Sequence, residues 1–215
     1  MPVDAGGKKG THKPNFRASG VDQEESLMWA RFAVAAFLAG FAGPAFSQEN
    51  YRVDPLHTAA TFSVSHLGLS LQRGSFGRTT GMVMLDRSAR NGSIDVAIDA
   101  ASVTSGSTSR ETMLKGEEYF NVAQFPNITF KSTSLKFDGD RVVGADGELT
   151  IRGVSKPVTL TVADFKCAIH PATKKPACGC EVTASVKRSE FGMTKNQAST
   201  GDDVNIAIAI EAIQQ

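Results

Sequence analysis

Three cysteines and a histidine stand together late in the chain. Cys167, His170, Cys178 and Cys180 are spaced C-x2-H-x7-C-x-C. Thiolates and imidazole are zinc ligands, so this loop admits a metal site. In an oxidising compartment the same thiols pair as a disulfide instead, and Cys167 and Cys178 flank a short turn at Lys174-Lys175-Pro176. Two other residues draw notice by their phase. His66 falls on the same face as Phe62 and Val64, and Arg188 on the same face as Val182, Ala184 and Val186. A polar or charged group turned toward an apolar interior is costly unless it is paired. Each therefore meets either the polar head of a ligand, for which arginine suits phosphate, or a structural partner, which for Arg188 means a hydrogen bond or an ion pair with Glu190 or an Asp. Arg78 and Arg110 are weaker candidates of the same kind. His57 followed by Thr58 offers a base on paper, but a turn or capping role fits it better. The chain carries no nucleophile elbow, no His-Glu-x-x-His, no phosphate-binding glycine loop and no acid pair in a clear context, so it reads as a protein without catalysis.

The whole-chain balance agrees. Twenty-three basic and 22 acidic residues leave a net charge of +1, without the basic excess that nucleic-acid binding calls for. The N-terminus is organised differently from the rest. Arg31 precedes the apolar run Phe32–Ala42, and Pro44-Ala45-Phe46-Ser47 ends it with small residues. This is the layout of a secretory signal peptide, with cleavage expected after Ser47. The run from Phe32 to Ser47 is short for a spanning helix, which needs ~20 apolar residues, so no stable membrane span is expected in the mature protein. Met28-Trp-Ala-Arg31 makes a cationic start by itself, and translation is expected to begin at Met28 rather than Met1. Residues 1–47 are thus read as extension and leader, and residues 48–215 as one domain, long enough for a single core.

Within that domain apolar residues alternate with period two, the signature of half-buried strands. The pattern predicts strands at Thr58–His66, Ser93–Asp99, Asn127–Ser132, Pro157–Val162, Glu181–Lys187 and Asp203–Glu211, with two more at Arg73–Leu85 and Arg141–Ile151, where glycines mark bends or bulges. Asn91-Gly92, Asp138-Gly139-Asp140 and Arg152-Gly153 supply the turns. A short helix is expected within Ser107–Tyr119, capped near Ser107 or Thr108. Eight strands with one apolar face each, and no long helix to cover them, must turn those faces toward one another. Successive hairpins favour an up-and-down barrel, which also removes free edges. Eight strands enclose either a packed core or one slim ligand, and periodicity does not choose between the two.

Particular residues then look familiar. Asp54-Pro-Leu-His57-Thr58-Ala-Ala-Thr-Phe62-Ser-Val64-Ser-His66-Leu67-Gly68 resembles the opening of the YceI-like family of bacterial periplasmic lipid-binding proteins. Gly74-Ser-Phe76, Gly81-Met-Val83-Met-Leu85-Asp86, Leu114–Asn121, Phe125–Ser132, Gly147–Ile151 and Arg188–Met193 follow in family order. The resemblance implies an all-β, lipocalin-like, eight-stranded antiparallel barrel with the short helix near a mouth. It implies non-catalytic binding, transport or storage of a polyisoprenoid, isoprenoid quinone or related lipid in the lumen, in the periplasm, with no further cofactor. Glu190 stands where the family often has Asp. The only Trp, Trp29, lies in the leader, so the lipocalin Gly-x-Trp signature is absent. The residues assigned to the lumen are Phe62, Val64, His66, Phe76, Ile94, Val96, Ile98, Ile128, Phe130, Val182, Val186, Arg188, Phe191, Ile206 and Ile208. The resemblance also supports a Cys167–Cys178 disulfide, leaving Cys180 as an odd thiol. Two other readings remain: a stress-response barrel with a filled core acting through its surface, and a metal-responsive module on the cysteine loop. A homodimer is compatible with all of these.

Overall fold

The computed structural model describes Gly10 and residues 48–215; the expected leader, its cleavage after Ser47 and the start at Met28 lie outside the described residues. Eleven strands are hydrogen-bonded into one sheet: β1 (Glu49–Val53), β2 (Ala59–His66), β3 (Ser70–Phe76), β4 (Thr79–Asp86), β5 (Asn91–Asp99), β6 (Val103–Thr104), β7 (Asn127–Asp138), β8 (Arg141–Ile151), β9 (Val154–Ile169), β10 (Pro176–Lys187) and β11 (Thr200–Gln214). One helix, α1 (Thr108–Lys115), joins β6 to β7.

The strand count resolves into the eight expected staves. β1 and β2 are two halves of one stave, since both pair with β11 on one side. β3 and β4 form the next stave, bent at Gly77–Arg78; β3 pairs with β2 and β4 with β1. From β4 the sheet runs β5, β7, β8, β9, β10, β11, each antiparallel to its neighbour, and the β1–β11 pairing closes it. This is the up-and-down closure that leaves no open edge in the main circuit. The circuit and both apolar cores are complete within residues 48–215.

Local chemistry explains the irregularities. The first stave breaks at Asp54–Thr58 because Pro55 has no N–H to give a ladder and because Asp54 Oδ1 accepts from the Leu56 amide at 3.0 Å, an Asx turn. The gap is bridged by Thr58, whose hydroxyl donates to Glu211 O at 3.3 Å and accepts from Glu211 N at 3.2 Å. β1 lies wholly ahead of the first predicted strand. The expected single strand Arg73–Leu85 is split by the bend, where Gly77 and Arg78 donate to the Ser102 carbonyl and hydroxyl. β7, β9, β10 and β11 run well beyond their predicted ends, because ladder bonds to neighbours continue where the apolar alternation stops. The helix is shorter than expected. Ser107 is its N-terminal flanking residue but makes no side-chain cap bond.

One bulge shapes the interior. Gly179 pairs with Lys166 and Glu181 with Ala163, so Asp164 and Phe165 together oppose the single Cys180. Asp164 takes φ +54°. The extra residue resets the alternation: Asp164 stays at the surface, and Phe165 joins Val162 on the inner face.

Candidate functional site: the barrel lumen

The inner faces of the staves do not meet. They surround a cavity of about 480 Å³. Its wall holds Phe62, Val64, His66, Phe76, Ile94, Val96, Ile98, Ile128, Phe130, Val182, Val186, Arg188, Ile206 and Ile208, fourteen of the fifteen residues assigned from sequence. Several of these, among them Phe62, Ile94, Ile98, Ile206 and Ile208, face inward yet are only half-buried. Protein interiors are close-packed, so an inward aliphatic that remains half-covered marks space rather than core. The packed-core alternative therefore does not describe this interior.

Phe191 is the exception. It is almost completely buried, packs in the cluster with Ala60, Phe76 and Met193, and does not border the cavity. It lies in a short 3-10 turn, Arg188–Phe191, whose period differs from that of the strand before it. Its assignment to the lumen does not hold, because the turn carries the ring into the packed cluster instead.

Arg188 borders the cavity, but its chemistry is structural. It is 4% exposed. Its Nη1 donates to Met193 O at 2.6 Å and Lys195 O at 2.8 Å, its Nε to Gly201 O at 2.9 Å and its Nη2 to Thr200 O at 3.0 Å. Four of the five guanidinium N–H groups are thus committed to backbone carbonyls of the segment leading into β11. The ion pair with Glu190 does not form; Glu190 is exposed. Asp202 instead accepts from the Ser189 amide and hydroxyl at 2.9 and 2.8 Å, bonds that hold its carboxyl below the usual range. Arg188 therefore acts as a strut for the rim, the structural hydrogen-bonding role that was one of the two expected of it.

The two ends of the lumen differ in polarity. Polar groups gather at one: His66, Gln72, Arg110, Asn196, Ser199 and Thr200. This is the mouth, since Met113 lines it and is exposed. Helix α1 and the turn after it contribute Arg110, Met113, Leu114, Tyr119 and Phe120. Phe120 closes an aromatic triad, 6.1 Å from Phe62 and 5.4 Å from Phe76 between ring centroids, with Phe62 and Phe76 5.6 Å apart. Such tilted and edge contacts fix ring orientation as well as burying area. The expected placement of the helix near a mouth holds.

The other end is formed by Tyr51, Leu85, Cys178 and Ala212. Here Tyr51 donates to Glu49 Oε2 at 2.9 Å, and Arg87 grips Glu49 at 3.1 and 2.8 Å. The Arg87 bonds hold the Glu49 carboxyl below its ordinary range. Burial, and then the bond to Glu49, push the Tyr51 phenol up to about 12. Neither Tyr51 nor the inner residues Leu149, Ile151, Leu160 and Phe165 were singled out from sequence. Leu160 was visible in the alternation; Tyr51 sits on the undetected half-stave, and Phe165 depends on the bulge.

Cys167 and Cys178 are register partners and form a disulfide, which removes the thiolates a metal on this loop would need. Cys180 remains a free thiol on the lumen wall, and burial pushes it up to about 11. His57 lies outside, with Nδ1 2.7 Å from Asp54 Oδ2; it belongs to the turn. Arg78 is also outside, paired with Asp99 and largely exposed. Of the two weaker arginine candidates only Arg110 reaches the lumen.

Comparison with known proteins agrees with this architecture. The YceI-like domain profile matches residues 51–212. The chain is 32% identical to Protein YceI of Escherichia coli O6:H1 over 195 residues, covering 89% of this chain and 99% of the relative. Its fold is similar to a Campylobacter jejuni YceI protein (TM-score 0.60, 25% identity, 70% of this chain and 90% of that one). It is similar also to Burkholderia cenocepacia BcnA (TM-score 0.63, 24% identity, 74% and 98%) and to a polyisoprenoid binding domain from Saccharophagus degradans (TM-score 0.57, 15% identity, 77% and 98%). With a closed eight-stave barrel, an unfilled lumen and a profile match across nearly the whole described domain, the chain belongs to the YceI-like family.

Proposed function

We propose that the protein is a non-catalytic periplasmic binder that carries or stores a long-chain amphiphile in the barrel lumen, with a polyisoprenoid, an isoprenoid quinone or a related lipid as the ligand class. The observation that carries this reading is the half-covered apolar wall around about 480 Å³ of space. A hydrocarbon chain entering it removes apolar surface from water on both partners, at roughly 25 cal/mol per Å². A chain longer than the lumen leaves its remainder at the polar mouth, where His66 and Arg110 face the opening. The likeness to a polyisoprenoid binding domain supports the ligand class, and the leader-like N-terminus supports export.

The test is mass spectrometry of lipid extracted from the protein purified out of a bacterial periplasm. A prenyl or acyl compound in near-stoichiometric amount is the expected result. Protein that reaches the periplasm empty, and that fails to take up added farnesol or a longer prenol, overturns the proposal.

A further inference from the structure

The hairpin between β2 and β3 carries leucines that neither its backbone nor the core calls for. Leu67, Leu69 and Leu71 are 58%, 84% and 48% exposed. Leu67 also sits at φ +55°, a conformation in which Asn, Asp or Gly is ordinarily found and a large side chain is uncommon. The turn is held by Leu69 N donating to His66 O at 2.9 Å and Leu67 N to Ser199 O at 2.7 Å. These are backbone bonds that any residue type can make. Local structure thus favours a small polar residue, and water favours a polar one.

The position of the hairpin gives these leucines a use. Its base is the mouth of the lumen: His66 and Gln72 line the cavity, and Met113 of α1, 43% exposed, lines the same rim. Two cations stand near it, Arg110 on the rim and Arg73 on the outer face of β3 beside Leu69 and Leu71, and neither has a carboxylate partner among the described residues. Exposed leucines beside unpaired arginines, at the opening of an apolar cavity, match a surface whose interior is apolar and whose face is anionic. Leucine side chains enter the acyl boundary, while arginine stems snorkel and leave the guanidinium at the phosphates.

We infer that the Leu67–Leu71 hairpin docks the barrel, mouth first, on an anionic phospholipid bilayer, so that a chain passes between bilayer and lumen without crossing water. This rests on the lumen being a lipid site. The test uses residues 48–215, which hold the entire strand circuit and both cores, in co-sedimentation with vesicles of mixed phosphatidylcholine and phosphatidylglycerol. The parent binds, and Leu69→Ser/Leu71→Ser weakens the partition about tenfold or more, the scale expected for two leucines withdrawn from an apolar phase. Arg73→Gln also weakens binding, and the parent's binding falls as salt rises. Pure phosphatidylcholine vesicles retain the protein less.

Farnesol uptake in vesicle-free solution separates the two claims. The leucine variant keeps it at parental affinity while transfer from vesicles slows. If vesicle binding is absent, or is indifferent to Leu69 and Leu71, the docking inference falls and the lumen reading stands. If no variant takes up farnesol yet the vesicle effects persist, the lumen reading falls instead. A parent dimer that Leu69→Ser/Leu71→Ser converts to monomer, with no vesicle binding, assigns the hairpin to self-association and overturns bilayer docking.

Discussion

Phe62 and Gly74 are register partners in adjoining halves of the first two staves, and the Phe62 ring lies where a side chain at position 74 would be. Gly74→Ala pushes the Phe62 ring inward against the space left for a ligand and strains its contacts with Phe76 and Phe120. The expected outcome is a loss of about 1–3 kcal/mol in stability, as for other overpacked interiors, with weaker uptake of a lumen probe. Urea denaturation alongside a fluorescent fatty-acid titration checks both.

Arg188 predicts a stability effect of a different origin. Replacing it with Met leaves the carbonyls of Met193, Lys195, Thr200 and Gly201 without their charged donor. Hydrogen bonds to charged groups count for about 1.5–3 kcal/mol each, shared here among several acceptors that partly recover with water. A loss of at least about 3 kcal/mol is expected, with Lys recovering only part of it. Unfolding by urea measures this; a variant as stable as the parent would return Arg188 to the list of ligand contacts.

The cysteines give a chemical readout. Native protein should show one thiol, and that thiol should react slowly, because Cys180 is buried and pushed up to about 11. Unfolding without reductant should make it react at the ordinary rate. Cys167→Ser/Cys178→Ser opens the loop closed by the disulfide, whose partners are 11 residues apart in sequence, at a cost of about 2–3 kcal/mol. Three thiols alkylated in oxidised native protein would contradict the bridge.

The Glu49–Tyr51–Arg87 group fixes a pH dependence at both extremes. Glu49 is held below its ordinary value, so its contribution is complete above the unfolded carboxylate range and is lost as pH falls through the lowered folded value. Tyr51 is raised to about 12, so its contribution is complete below the unfolded value of 10.0 and is lost as pH rises from there through about 12. Tyr51→Phe should abolish that alkaline loss while keeping the packed ring. Phenolate absorbance and melting temperature followed together across this window would show it.

Thr79 is fully buried, and its hydroxyl finds no hydrogen-bond partner among the described residues. Thr79→Val keeps the branched shape and removes the unpaired group, so a gain of about 1 kcal/mol is expected by thermal or urea unfolding. A loss instead would mean that the hydroxyl is paired in solution.

The sequence by itself determined much of this protein. Period-two alternation marked part of every one of the eight staves, though no more than half of β7 and β9, and fourteen of the fifteen residues assigned to the lumen border it, because a strand's side chains have only two directions to take. The close spacing of Cys167 and Cys178 made their pairing a clear candidate. Tertiary structure alone decided what depends on partners distant in the chain. β1 belongs to the first stave because it pairs with the far end of β11, Tyr51 opposite Gln214, and Thr58 bonds Glu211, 153 residues away. Phe165 faces inward only because Asp164 bulges against Cys180. Arg188 lies in phase with lumen residues, yet the carbonyls around it, from a segment that folds back later in the chain, make it a strut. Whether the interior is filled was beyond periodicity as well. Alternation states which way a side chain points, whereas free volume is set by the circumference at which β1 meets β11, and only the closed barrel has one.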